Sequence, residues 1–311
     1  MTATEEIQPG VLLVDKPEGP TSHDVVARTR RALATRRVGH TGTLDPFASG
    51  LLLVCIGRAT RLVEYFHPLP KRYEAVLLLG RETTTDDHTG EDRSRSDSWR
   101  SLDRDDVVTA AAARVGSQLQ VPPIYSARKV EGRRAHRRAR DGEVFELEPS
   151  EITVHSFEIT RWEPPFVEFV ARVSTGTYLR ALARDLGRDL GCGAHLTSLR
   201  RTAIGPFETG RAVAAAELEP GIAWESAGSP MLTPREALDW LPYRELSEPE
   251  TVEISHGRPV AAEGIQRPRI PGFAATDPDG GPVSLVSDGG LVAIANRVGD
   301  LLQPVKVLRA V

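Results

Sequence analysis

The sequence predicts an α/β or α+β domain up to about residue 243, followed by a small domain of β-strands. Three observations predict it. Short apolar strands alternate with helical runs through most of the chain. The character changes near Leu241-Pro242-Tyr243. Beyond that point the apolar runs 283–286, 291–296 and 301–308 are separated by Asp288-Gly289-Gly290 and Gly299-Asp300. Together with residues 252–260, read as a further strand, they suggest a small barrel of about seventy residues.

The elements follow in order. Residues 10–17 (GVLLVDKP) form a short buried strand ending in a Lys-Pro-Glu-Gly-Pro turn. Thr21 or Ser22 can cap a helix running to about Ala34, with Val25, Val26, Thr29 and Leu33 on its inner side. A glycine-rich stretch leads into a strand at 51–56, and 73–79 (YEAVLLL) is another. Residues 86–101 are polar, acidic and expected to be a loop. Residues 103–115 read as a helix with aspartates in its first turn, where the helix dipole favours them. Val121-Pro122-Pro123-Ile124 cannot lie inside a helix and opens an arginine-rich segment. Residues 152–159 and 167–173 alternate like strands. Residues 178–190 have helical period, with Leu179, Leu182, Ala183, Leu186 and Leu190 on one side, and Gly191-Cys192-Gly193 ends the run.

With 311 residues, 40% apolar and 26% charged, the composition is that of an ordinary globular protein and excludes a coiled coil or a fibre. The net charge of −4 alone argues against a polyanion as partner, but its distribution argues the other way. Residues 28–37 (RTRRALATRR) are purely basic, and 128–140 carry seven Lys/Arg against one acid. Acid is concentrated at 82–106. Either basic run alone is most simply a solvated face; two in an acidic chain leave a solvated face and a nucleic-acid surface as equal readings. Cys55 and Cys192 form no CxxC pair and no metal-ligand spacing, which fits a reducing cytosol. The polar, acidic N-terminus is unlike a signal peptide, and no apolar run approaches the roughly 20 residues that span a bilayer.

The segment 38–50 (VGHTGTLDPFASG) carries the chemistry. Gly39, Gly42 and Gly50 permit unusual backbone and close approach of a ligand, and Pro46 stiffens the chain after Asp45. A carboxylate held on such a loop can serve as nucleophile, general base or metal ligand. A lone aspartate in a turn is more often structural, so the residue alone decides nothing.

The whole segment does more. Residues 39–50 closely resemble the catalytic motif GHTGTLDPxAxG of the TruB family of tRNA pseudouridine synthases. Further likenesses follow in order. Leu13-Val14-Asp15-Lys16-Pro17-x-Gly19-x-Thr21-Ser22 resembles the family's N-terminal signature, and Lys71-Arg72-Tyr73 its K-x-Y motif. Tyr125-Ser126-Ala127-x-Lys129-x-x-Gly132 resembles the start of its RNA-clamping insertion, about 121–150. Gly176-Thr177-Tyr178-Leu179-Arg180 and the run from Gly191 to Arg201 resemble two more signatures. The resemblance spans roughly residues 10–211, and the final meander is more loosely similar to a PUA-type RNA-binding barrel.

The resemblance implies a pseudouridine-synthase core (1–243) on a mixed, largely antiparallel sheet, then a PUA-like domain (244–311). It implies isomerisation of uridine 55 in the tRNA T-loop, with the base flipped from its stack, at a cost of a few kcal/mol. By the same resemblance Asp45 is the essential carboxylate, Arg180 its charge partner, and Tyr73 the ring on the target base, with a hydroxyl able to help remove the C5 proton. Leu199 would pack on the base's other side and Tyr178 beside the pair. His40, Lys16, Arg128, Lys129, Arg133 and Arg134 would meet RNA. No metal or organic cofactor is implied. The resemblance implies tRNA as the partner through its T-stem-loop, no membrane, no obligate protein partner, and a cytoplasmic monomer. Thr84 stands where the family often has aspartate, while Asp87 is retained, and His136 replaces a frequent tyrosine. Rival readings are a non-catalytic tRNA-binding or tRNA-folding protein on the same scaffold, an RNA-guided synthase, and a glycoside hydrolase. The hydrolase would need a second acid flanking the bond, and none is evident beside Asp45.

Overall fold

The structure, a computed structural model, describes residues 8–126, 128–130, 132–143, 145–220, 229–273 and 281–308; the side chains of 129, 130, 134, 136 and 140 lie outside the description. Two compact units divide the chain: Met1–Asp45 with Gly50–His67 and Gly205–Val311, and Pro46–Ser49 with Pro68–Ile204.

In the first unit, the Gly10–Lys16 strand pairs antiparallel with Ser49–Ile56, in register from Gly10↔Ile56 to Lys16↔Gly50. It also pairs antiparallel with Met231–Leu232 and parallel with Val213–Ala214. Val11–Val14 and Leu51–Ile56 are buried without interruption. Such strands are covered on both faces, so their sequences are continuous apolar runs with no alternation. The Ser22–Ala32 helix is started by a capping box: Thr21 Oγ1 accepts the Asp24 N–H at 3.1 Å, and Asp24 Oδ2 accepts the Thr21 N–H at 2.8 Å. Its Val25, Val26 and Ala32 pack with Leu12, Val14, Leu52, Val54 and Ile56 in one core.

The C-terminal part of this unit carries a five-stranded sheet, ordered Tyr243–Glu245, Pro282–Ser287, Gly290–Val298, Leu301–Val307 and Val260–Ala261. Asp288 (φ 51°) and Gly289 (φ 70°) form the two-residue turn between its second and third strands, the positive-φ pair such hairpins demand. One expectation is corrected. Residues 252–260 do not form a strand: Glu248–Ser255 is a helix, and only Val260–Ala261 joins the sheet. The helix wins because Ser247 and Glu250 form a capping box and Pro249 falls in its first turn.

The second unit is built on an antiparallel sheet ordered Ala194–Ile204, Lys71–Leu79, Phe166–Val173, Ser150–Glu163 and Gly116–Gln120. The Leu179–Asp189 helix packs on Ala194–Ile204, so closely that a Cβ on Gly187 would lie 2.3 Å from the Ala194 nitrogen. Part of the expected 86–101 loop is ordered: Asp92–Arg95 pairs with Arg81–Thr83 as a hairpin. The basic insertion is a short hairpin, Lys129–Val130 on Arg133–Arg134, followed by the Ala135–Arg140 helix. Among the described residues no helix is long and apolar enough to cross a membrane.

Candidate active site

The glycine-rich loop is anchored at several points. The Thr41 N–H donates to the Leu53 carbonyl at 3.1 Å, which ties the loop to a core strand. The buried Ser22 hydroxyl accepts the Leu44 N–H at 2.9 Å and donates to the Leu44 carbonyl at 3.2 Å. Leu44 and Phe47 are buried on either side of half-buried Asp45. His40 ends the Val38–His40 strand, its ring edge-on to His23 at 5.4 Å between centroids. Lys16, expected to touch RNA, is instead fully buried, and its ammonium donates to the carbonyls of Pro17 and Pro20, each at 2.9 Å. The apolar strand carries this amine inward, where it caps the turn that follows.

In the second unit, Tyr73 and Leu199 lie on adjacent antiparallel strands. Tyr73 pairs with Arg201 and Ala75 with Leu199, which makes Tyr73 and Leu199 diagonal neighbours on one sheet face. Both are largely buried. Tyr178 precedes the Leu179–Asp189 helix, and the buried Gln120 amide grips its backbone. Gln120 Oε1 accepts the Tyr178 N–H at 2.9 Å, and Nε2 donates to its carbonyl at 3.1 Å.

Arg180, only 4% exposed, donates to the carbonyls of Thr85 and Tyr125, each at 2.9 Å, and lies 3.6 Å from Asp87 Oδ2. Asp87 is itself held: its Oδ1 accepts from the Thr85 hydroxyl at 2.7 Å and the Thr89 N–H at 3.0 Å. One helical turn on, buried Arg184 bonds Asp86 at 3.1 Å, Asp185 at 2.8 Å and the Val121 carbonyl at 2.9 Å. Burial is the largest influence on Asp86 and pushes its carboxyl above the ordinary range, against the pull of Arg184 and Arg180. At the position where the family often has aspartate, the Thr84 hydroxyl accepts the Glu91 N–H at 3.1 Å and so closes the turn. Lys71 is buried, and desolvation, helped by the Arg201 charge, lowers its pKa to about 8.

In the insertion, Arg128 is half-buried, and exposed Arg133 pairs with Asp141 at 2.7 Å and with Glu143. Arg138 also pairs with Glu143, at 2.7 Å, and lies over the Phe145 ring at 4.8 Å. The Lys129 and Arg134 side chains lie outside the described residues, as does that of His136. Among the described residues no cluster of His, Cys, Asp or Glu could hold a metal ion.

The sequence reading missed Ser22, Gln120, Asp86 and Arg184 as determinants of this geometry. The available signal was Arg184 itself, four residues after Arg180 on a helix otherwise lined with leucine and alanine.

Chemically, this is a rigid loop presenting a carboxylate, and a sheet face presenting a phenol beside an aliphatic side chain. The fold matches the solved structure titled "Crystal Structure of a Cbf5-Nop10-Gar1 Complex" with a TM-score of 0.74 and 26% identity, covering 100% of this chain and 92% of that one. The scaffold is therefore the mixed α/β fold of a pseudouridine synthase. Sequence comparison narrows the class. The "TruB family pseudouridylate synthase (N terminal domain)" profile matches residues 30–179, and the "tRNA pseudouridylate synthase B C-terminal domain" profile matches 180–238. The tRNA pseudouridine synthase B of Thermobifida fusca (strain YX) is 45% identical over 307 residues, 96% of this chain and 98% of that one. That of Arthrobacter sp. (strain FB24) is 43% identical over 305 residues, 96% of each. The chain belongs to the TruB family of pseudouridylate synthases.

Proposed function

We propose that this enzyme isomerises uridine 55 in the T-loop of tRNA to pseudouridine, with Asp45 as the essential carboxylate. The observation that carries the reading is the 39–50 loop, which bears the family's full motif and is pinned to the core through Thr41 and Leu44. In this reading the target base flips out of its stack to lie against the Tyr73 ring, with Leu199 on its other side. Arg180 is read as the charge partner of Asp45, a guanidinium that would fix the direction of its carboxylate. Asp45 drives detachment of the base; the base turns and rejoins the ribose through C5, and the Tyr73 hydroxyl assists loss of the C5 proton. His40 meets the RNA near the vacated position, and Tyr178 lies beside the pair that holds the base.

The catalytic domain is 1–243, and 244–311 is a PUA-like domain that adds RNA contact. Arg128, Lys129, Arg133 and Arg134 on the insertion meet phosphates without regard to sequence. The enzyme works as a cytoplasmic monomer on free tRNA, with no metal, organic cofactor or obligate protein partner.

The test is incubation with unmodified tRNA transcript, followed by carbodiimide-dependent primer extension to locate pseudouridine. A single new stop at position 55 is expected. Asp45→Asn keeps the shape, removes the charge, and should abolish the stop while tRNA binding survives. Turnover at the parent rate in that variant would remove Asp45 from its role. Binding with no modification by the parent enzyme would favour a tRNA-binding protein instead.

A further inference from the structure

We propose that Ser22 is a positioning residue for Asp45, an inference that rests on the catalytic reading of Asp45 given above. Ser22 is the first residue of the Ser22–Ala32 helix and only 1% exposed. A hydroxyl offers one donor hydrogen and can also accept. Ser22 uses both on one residue: it accepts the Leu44 N–H at 2.9 Å and donates to the Leu44 carbonyl at 3.2 Å. Leu44 is itself 4% exposed, so water has little access to replace either bond.

The Leu44 carbonyl belongs to the peptide unit whose nitrogen is that of Asp45. Holding it fixes the plane that immediately precedes the Asp45 Cα. On the other side, Pro46 keeps the residue before it out of the α region and so limits the Asp45 ψ angle. The carboxylate is thereby bracketed from both sides. The support behind Ser22 is firm as well. Its helix end is fixed by the Thr21–Asp24 capping box, and Val25 and Val26 root the helix in the core. Asp45 is thus tied to the hydrophobic core through the Ser22 hydroxyl, which lies 22 residues from Leu44 in sequence.

The experiment compares Ser22→Ala, Ser22→Cys and Asp45→Asn with the parent enzyme. Single-turnover rates are measured at saturating unmodified tRNA, alongside tRNA Kd and thermal unfolding. A small misplacement of a reacting group costs up to about 100-fold in rate, so Ser22→Ala should lose about 10- to 100-fold with Kd unchanged. Ser22→Cys keeps the volume but offers only a weak donor and acceptor, and should fall between. Full single-turnover rate in folded Ser22→Ala, with Asp45→Asn inactive, overturns the inference and leaves the Asp45 reading standing. An active Asp45→Asn overturns both. A rate loss accompanied by an equal loss of tRNA affinity makes Ser22 merely structural and overturns it too. If Ser22→Ala does not fold, Ser22→Cys decides by the same criteria.

Discussion

Removing the charge of Glu143 should make the protein hold RNA more tightly. Residues 128–143 contain seven Lys/Arg and three acids, Glu131, Asp141 and Glu143. Glu143 receives Arg138 at 2.7 Å and also Arg133, and Arg133 keeps a second partner in Asp141 at 2.7 Å. The Arg138 bond, then that of Arg133, holds the Glu143 carboxyl below the ordinary carboxylate range, so it is ionised at neutral pH. A phosphate that engages these arginines must compete with it. Glu143→Gln withdraws the carboxylate from Arg138 while Arg133 still has Asp141. If one more phosphate contact then forms, the salt dependence of log Kd should steepen by about 0.7 to 0.9 per log unit of salt. Adding Asp141→Asn releases the second guanidinium and should bring the change to about 1.4 to 1.8. Thermal stability should hardly move, because ion pairs at the surface, as those of Arg133 are, contribute little, and the amide oxygen that Glu143→Gln leaves in place can still accept from half-buried Arg138. The assay is tRNA binding across a salt series for parent, single and double variants, with single-turnover rates at saturation as control. An unchanged slope and affinity in the double variant would show that this face of the insertion is turned away from RNA.

Three further outcomes are expected. Tyr73→Phe should retain tRNA binding and lose about 10²- to 10⁴-fold in turnover, as loss of a general acid–base group does; a full-speed variant would leave the ring a stacking role only. Gln120→Ala strips the Tyr178 N–H of its partner and leaves the Tyr178 carbonyl with the Leu182 N–H alone, at about 1–3 kcal/mol for the orphaned donor, and should lower the urea midpoint; an unmoved midpoint would mean that water fills the gap. Lys71, with a pKa of about 8 when folded, lies below its unfolded value near 10.4, so the unfolded chain binds more protons between those values. Lys71 alone should therefore add ~3 kcal/mol from about pH 8 to about 10.5, read as the difference between parent and Lys71→Met in urea titrations at the two ends of that window, since buried Cys55 and Tyr65 pull the other way in both proteins.

The strands at 10–16 and 49–56 were legible because continuous apolar runs have few other readings, and the first helix because Thr21 or Ser22 stands as a cap ahead of Val25, Val26, Thr29 and Leu33. The 248–255 helix was not, since its alternating apolar residues outweighed a capping box that only the serine and glutamate revealed. Lys16, which the resemblance would set against RNA, is buried because the strand that precedes the turn carries it inward. Within the site, local motifs picked out Asp45 and Tyr73, but the side chains that fix the loops did not stand out. Ser22 reaches a partner 22 residues away and Gln120 one 58 residues away, and no periodicity encodes such pairs.

Those long-range bonds share a logic. Ser22 and Arg180 project from the first turn of a helix, Gln120 from a strand end and Arg184 from the middle of a helix, and each bonds the main chain of a segment that has no ladder of its own. A buried loop must satisfy its backbone somewhere, and here rigid elements do so with side chains. The Leu179–Asp189 helix does this twice in one turn. Arg180 takes the carbonyls of Thr85 and Tyr125, and Arg184 takes that of Val121 together with the Asp86 carboxylate. The 85–87 turn and the root of the basic insertion therefore hang from the same pair of arginines. Because Arg180 is also the proposed partner of Asp45, the segment that would clamp RNA and the group that would tune the chemistry are registered against one helix face. A substitution at Arg184, which touches no expected substrate position, should then loosen the proposed clamp and Arg180 together.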